Sequence, residues 1–192
     1  MNKRTNGAMS AKTLVMHALL TAIVVILQIV AEFVKVGPCA LSLVLIPIVV
    51  GGALCGWKCG AWLGFVFACV TFACPSTLTF FGWNAIGTVL TVIIKSVAAG
   101  VVASLIYKLL AQKNKFLAVF TAAVAAPIVN TSIFLLGCKL FFYEGITQDW
   151  SGGQNAISFV ITAFVLFNFL FELITNILLS PAAVRIIKIR EK

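Results

Sequence analysis

Two ionisable side chains lie inside long apolar runs of this sequence, Lys95 near the middle of one and Glu172 past the middle of another. A charge at the centre of a bilayer costs about 2.5–3.5 kcal/mol on insertion scales, so such a residue faces a partner or a cavity. Around Glu172 the spacing Asn168-x-x-x-Glu172-x-x-x-Asn176 sets three polar side chains on one helix face. Asn130 and Thr131 fall midway along a third apolar run, and Trp83 and Asn84 open the run that carries Lys95. A few placed polar groups in an apolar bundle is the make-up of a small-molecule site. Lys95, Asn130, Thr131, Asn168, Glu172, Trp83 and Asn84 are therefore the candidate substrate-binding residues. The same residues also fit a structural Lys95–Glu172 pair, with the asparagines bonding between helices, or a proton or ion relay.

Catalytic patterns are missing. The sequence has no H-E-x-x-H, G-x-S-x-G or P-loop, and its single histidine, His17, has no acidic or cysteine neighbour in sequence. Cys39, Cys55, Cys59, Cys69, Cys74 and Cys138 fall mostly in apolar runs without a C-x-x-C pair, so they read as small packing residues. No catalytic set, metal site or cofactor is expected.

Two further patterns concern packing and surfaces. Gly52, Gly56, Gly60, Gly64 and Ala68 recur every four residues, and Gly60-Gly64-Ala68 would form a stripe on one helix. Ala18 and Ala22 make a second small-x-x-x-small pair. Small residues at this spacing let helix backbones approach closely in lipid. They serve either packing within the chain or docking of another membrane subunit. Aromatic residues flank two loops, Phe80, Phe81 and Trp83 at one and Phe141, Phe142, Tyr143 and Trp150 at the other. They read as an interfacial belt or as a lid over a ring-bearing ligand.

The elements that must position these residues follow from composition. The 192 residues are 62% hydrophobic and 10% charged, against about 25% charged in soluble domains. The expected fold is all-α, a polytopic membrane bundle of six helices at about 12–34, 41–54, 59–73, 83–110, 116–142 and 155–180, forming one domain over 1–192. The two short helices around Gly56-Trp57-Lys58 would also fit a re-entrant hairpin. Pro75-Ser76-Thr77 and 144–154 read as loops, and Pro181 as the start of a basic tail. The first apolar run follows Lys3, Arg4 and Lys12 but is too long for a typical signal peptide and reads as a retained helix.

The net charge is +9, and its distribution speaks for topology rather than nucleic-acid binding. With the N-terminus inside and six crossings, Lys3, Arg4, Lys12, Lys58, Lys108, Lys113, Lys115, Arg185, Lys188, Arg190 and Lys192 are cytoplasmic, and only Lys35 and Lys139 lie outside. Both termini are expected in the cytoplasm.

The run Leu43-Val44-Leu45-Ile46-Pro47-Ile48-Val49-Val50-Gly51-Gly52-Ala53-Leu54, with Gly56-Trp57-Lys58-Cys59-Gly60-Ala61-Trp62-Leu63-Gly64, resembles the second and third helices of S components of energy-coupling factor (ECF) transporters. Ala18-x-x-x-Ala22, Val129-Asn130-Thr131-Ser132-Ile133-Phe134 and the Asn168–Asn176 face resemble further stretches of that family, and the likeness covers nearly the whole chain. Lys95 stands where many relatives carry arginine, so the bidentate carboxylate contact of a guanidinium is not available there. The resemblance implies a high-affinity vitamin-binding subunit of a bacterial plasma membrane. Its partners would be a transmembrane T component, two cytoplasmic ATPase subunits and the lipid bilayer. The ligand would sit toward the outer side, and Ala18 and Ala22 would dock the T component; the spacing of Gly60, Gly64 and Ala68 adds a second docking stripe. Lys95 would meet an anionic group, so pantothenate leads, with riboflavin or folate next. The competing class is a stand-alone secondary transporter or channel using Lys95 and Glu172 as a relay. A small membrane enzyme is disfavoured by the missing nucleophile–base or metal set.

Overall fold

An apolar run in lipid has no water to satisfy its backbone, so it closes its own hydrogen bonds as helix. The computed structural model describes residues 11–33, 35–36, 39–40, 44–150 and 169–190 and is helical throughout except for one two-residue strand pair. Helix α1 spans Ala11–Phe33. Strands β1 (Lys35–Val36) and β2 (Cys39–Ala40) pair antiparallel, with Lys35 opposite Ala40. Then come α2 (Leu45–Cys55), α3 (Trp57–Phe72), α4 (Pro75–Trp83), α5 (Ala85–Leu110) and α6 (Lys115–Phe141). A short α7 (Tyr143–Gly145) leads into a π-helical turn at Ile146–Trp150, and α8 spans Leu170–Arg190.

Among the described residues, four helices are long and apolar enough to cross a membrane: α1, α5, α6 and the Leu170–Ile187 part of α8. The bent pair α3–α4 supplies a fifth crossing if it counts as one. Six single-helix spans are therefore not what these residues present. α2, with 11 residues, is only about 16 Å long, half of the roughly 30 Å hydrocarbon core. Residues 155–168 of the last expected helix lie outside the described residues.

Local chemistry explains the other departures from expectation. Residues 75–83, expected as loop, are helical. Pro75 takes the first turn of α4, where its missing N–H is no loss, and the preceding Cys74 is extended at φ −78° and ψ 134°. The axis turns by 81° between α3 and α4. Trp83 therefore ends α4 rather than opening α5, and Asn84 is the α5 N-cap, its side chain accepting from Gly87 N at 2.8 Å. The expected loop at 144–154 is helical as far as residue 150. Nor does Pro181 end α8, which runs on to Arg190. A proline inside a helix costs about 3 kcal/mol, but beyond it Ala183, Val184 and Ile187 are all buried in the core, which offsets the lost bond. Gly56 joins α2 to α3 with no intervening loop at φ 85°, in the left-handed region that favours glycine.

The main core joins Leu20 and Val24 of α1, Ile48 and Val49 of α2, Leu63 and Phe67 of α3, Ala99 and Ala103 of α5, and Ala118 and Ala122 of α6 to the buried end of α8. The most extensive packing is of α5 on α6 and of α5 on α3. One end of the bundle gathers the start of α1, the α2–α3 junction, the α5–α6 connection and the end of α8. A groove lined by Lys12, Met16, Leu54 and Ile186 opens there. The opposite end carries α4, α7 and a second cluster built from Phe80, Cys138, Phe142 and Ile146. The first is the basic end of the bundle and the second its aromatic end.

Candidate substrate-binding site

Lys95 is held on α5 at the junction of three helices. Its Nζ lies 5.7 Å from the ring centroid of Phe67 on α3 and 5.2 Å from that of Phe134 on α6. Cation–π attraction of this kind gains strength where water is excluded. Lys95 is ten residues into α5, about 15 Å from its aromatic end, and half-buried. Asn84, Thr88, Thr91 and Lys95 follow one another at spacings of four, three and four, so they share one face of α5. Thr88 returns its hydroxyl to the Asn84 carbonyl at 2.8 Å. Thr91 lies against Gly137 of α6, where an added Cβ would collide with the threonine side chain.

Asn130 is buried at 3% exposure on α6, one turn before Phe134. Its Oδ1 has no hydrogen-bond partner among the described residues, nor has the Thr91 hydroxyl. Burying an amide oxygen unsatisfied costs roughly 1–3 kcal/mol, so among the described residues Asn130 Oδ1 is an acceptor, and the Thr91 hydroxyl a donor or acceptor, with room for a further partner. Thr131, its neighbour, is half-buried. Trp83 joins the site through rings: 5.4 Å to Phe80, then 5.7 Å from Phe80 to Phe134, both edge-on. Its indole N–H donates to Asp149 Oδ2 at 2.6 Å, and Gly145 packs flat on the ring. Trp83 is thus engaged in clasping the 143–150 segment, and Asn84 in capping α5.

Glu172 is buried at 3% on α8. Helix α8 packs on α6 and α2 and has no extensive contact with α5. Since α8 runs with its far end in the core shared with the first half of α6, Glu172 lies toward the half of α6 that carries Asn130 and Phe134. Asn176 donates to the Glu172 carbonyl at 2.8 Å, a bond within its own helix rather than between helices. Asn168 lies outside the described residues.

The expected docking set divides. Gly60, Gly64 and Ala68 face inward, as the packing alternative of their spacing has it. Gly60 abuts the Gly100 carbonyl and Gly64 the Ser96 carbonyl, both of α5, and Ala68 is fully buried. These glycines let α3 touch the α5 backbone. Ala18 and Ala22 are instead exposed on the outward face of α1, beside Leu19 and Ile26.

Sequence reasoning passed over Phe67, Phe134 and the Thr88–Thr91 stripe, although the stripe's spacing was legible. Glu32 was also passed over. It caps the α4 N-terminus from α1, accepting from Ser76 N at 2.9 Å and from Ser76 Oγ at 2.8 Å. An acidic group at a helix N-terminus is favoured by the helix dipole.

Residues 12–184 match the family described as ECF transporter, substrate-specific component. The chain is 29% identical over 184 residues to the pantothenic acid transporter PanT of Lactococcus lactis subsp. cremoris (strain MG1363), an alignment covering 87% of this chain and 89% of that protein. No solved structure matches. This chain belongs to the substrate-specific component family of ECF transporters. It is accordingly a transport subunit and not an enzyme, a multi-pass protein of the bacterial cell membrane.

Proposed function

We propose that this chain is the pantothenate-binding subunit of an ECF transporter, working with a transmembrane T component and two cytoplasmic ATPases. The observation that carries the reading is the Lys95 ammonium held between Phe67 and Phe134, one helix away from the unsatisfied Asn130 Oδ1. A small acid with a carboxylate, hydroxyls and an amide N–H would offer an anion to the ammonium and a donor to that oxygen. The relative named for pantothenic acid supports the same ligand. Riboflavin and folate fit less well, because Phe80, Trp83, Phe134 and Phe142 pack edge-on against one another at 66–78° instead of presenting open faces for a ligand ring. In this reading both termini are cytoplasmic and the ligand enters from the aromatic end.

Calorimetric titration of the purified chain with pantothenate, riboflavin and folate tests the proposal. Pantothenate should bind most tightly. Lys95→Met should weaken it about ten- to a hundredfold, the equivalent of one charge-assisted hydrogen bond of about 1.5–3 kcal/mol. A preference for riboflavin would replace the ligand, and unchanged pantothenate affinity in Lys95→Met would remove Lys95 from the site.

A further inference from the structure

We propose that His17, Cys55 and Cys59 form a binding site for a thiophilic divalent cation of the zinc type at the basic end of the bundle. The three residues come from α1, the end of α2 and the first turn of α3. A ring nitrogen of His17 and the two Sγ atoms all lie within 4.8 Å of one another. Nothing in sequence spacing suggests the site, because the histidine is 38 residues from the nearer cysteine. The Gly56 junction brings Cys55 and Cys59 together, and the packing of α1 on α2 and α3 adds His17.

The imidazole is oriented as a ligand would be. His17 Nδ1 lies 2.8 Å from the Thr13 carbonyl oxygen. A carbonyl only accepts, so Nδ1 carries a proton, and in the neutral ring the lone pair is then on Nε2. Metal-ligating histidines almost always spend their other nitrogen this way. Tetrahedral zinc with Zn–S of about 2.3 Å and Zn–N of about 2.0 Å sets ligand atoms about 3.5–4 Å apart. The present separations reach that by about 1 Å of side-chain rotation. Cys59 is buried and the other two half-buried, so the donors are partly shielded from competing water.

Charge selects the ion. Two thiolates neutralise a divalent cation, whereas a monovalent one would leave a net negative charge at the edge of an apolar core. Binding would release the two thiol protons. The ion would tie α1 to the α2–α3 hairpin, fixing the helix whose outward face carries Ala18, next to His17, and Ala22. A water or a donor from another molecule would take the fourth position.

The test uses the full chain, purified, reduced, freed of metal and titrated with Co²⁺. One equivalent should give the thiolate-to-cobalt charge-transfer band and the intense visible bands of a tetrahedral site, with Zn²⁺ displacing them. His17→Ala, Cys55→Ser and Cys59→Ser should each weaken binding at least about tenfold, in line with the penalties for disturbing ligand shells. Cys69→Ser, at an exposed position further along α3, should leave the spectrum unchanged. Absence of a stoichiometric thiolate–cobalt band in the parent protein overturns the site, whatever the variants do. So does a band that persists unaltered in both His17→Ala and Cys59→Ser. Neither result bears on vitamin binding, which is measured separately.

Discussion

At the scale of single residues, the site is marked by polar groups buried in an apolar bundle. Asn130 is the clearest case, since its buried Oδ1 finds no partner among the described residues. If that oxygen waits for a ligand donor, an apolar side chain of similar size should relieve the unliganded protein and harm only the liganded one. Asn130→Leu should therefore keep or raise the melting temperature of the empty protein and lower pantothenate affinity about tenfold, the worth of one hydrogen bond of roughly 1.4 kcal/mol. Scanning fluorimetry with and without ligand separates the two effects, and a fall in the empty protein's melting temperature would make Asn130 a structural residue. The polar members of this site were legible because an amide or an ammonium in an apolar run is conspicuous. The aromatic members were not. Phe67 and Phe134 are two of sixteen phenylalanines, and nothing in their spacing says which ones flank a lysine on another helix. His17 was legible only as a lone histidine, because its cysteine neighbours come from other helices.

At the scale of elements, the small-residue ladder shows how spacing alone leaves open which helix is approached. Four-residue spacing does mean close helix approach, but the helix approached is α5 of the same chain, at Ser96 and Gly100. A side chain at Gly64 would push α3 off α5 and move Phe67 away from Lys95. Gly64→Leu should lower thermal stability by the roughly 1–3 kcal/mol typical of overpacking and weaken ligand binding with it. Ala22→Leu, on the exposed face of α1, should change neither, and should reduce only co-purification with the T component. Thermal melts, ligand titrations and pull-downs on the two variants tell these outcomes apart. An intact ligand affinity in Gly64→Leu would separate the α3–α5 contact from the ligand site. The long helices were legible from their apolar runs, whereas the Asn114 cap of α6, which accepts from Phe116 N and Leu117 N, emerges from the structure. The short ones were not. Pro75 signals a break equally well whether the chain then loops or restarts as a helix, and the choice is made by a distant residue, Glu32. Pro181 misled for the same kind of reason, because the burial of Ala183, Val184 and Ile187 is a tertiary fact.

For the whole molecule, the two ends differ in charge as well as in shape. Lys12, Lys58, Lys108, Lys113, Lys115 and Arg185 all belong to the basic end, whereas Lys139 sits in the last turn of α6 at the aromatic end. Cytoplasmic loops are the lysine- and arginine-rich ones, and anionic lipid attracts juxtamembrane cations by about 1 kcal/mol each. The basic end should therefore face the cytoplasm, and the aromatic end, with Trp83 and the 143–150 segment over the Lys95 site, should face outward. This orientation is what an importer's binding subunit requires, since the ligand must be met before energy is spent on it. Single cysteines placed in a background with the native thiols removed measure it directly. Glu144→Cys, half-way between Phe142 and Ile146 on the aromatic end, should react with a membrane-impermeant maleimide in intact cells. Lys113→Cys, in the α5–α6 connection, should react only after the membrane is permeabilised. Reversed labelling would put the Lys95 site on the cytoplasmic side, where it could not capture an external vitamin, and would overturn the uptake function while leaving the helix packing untouched.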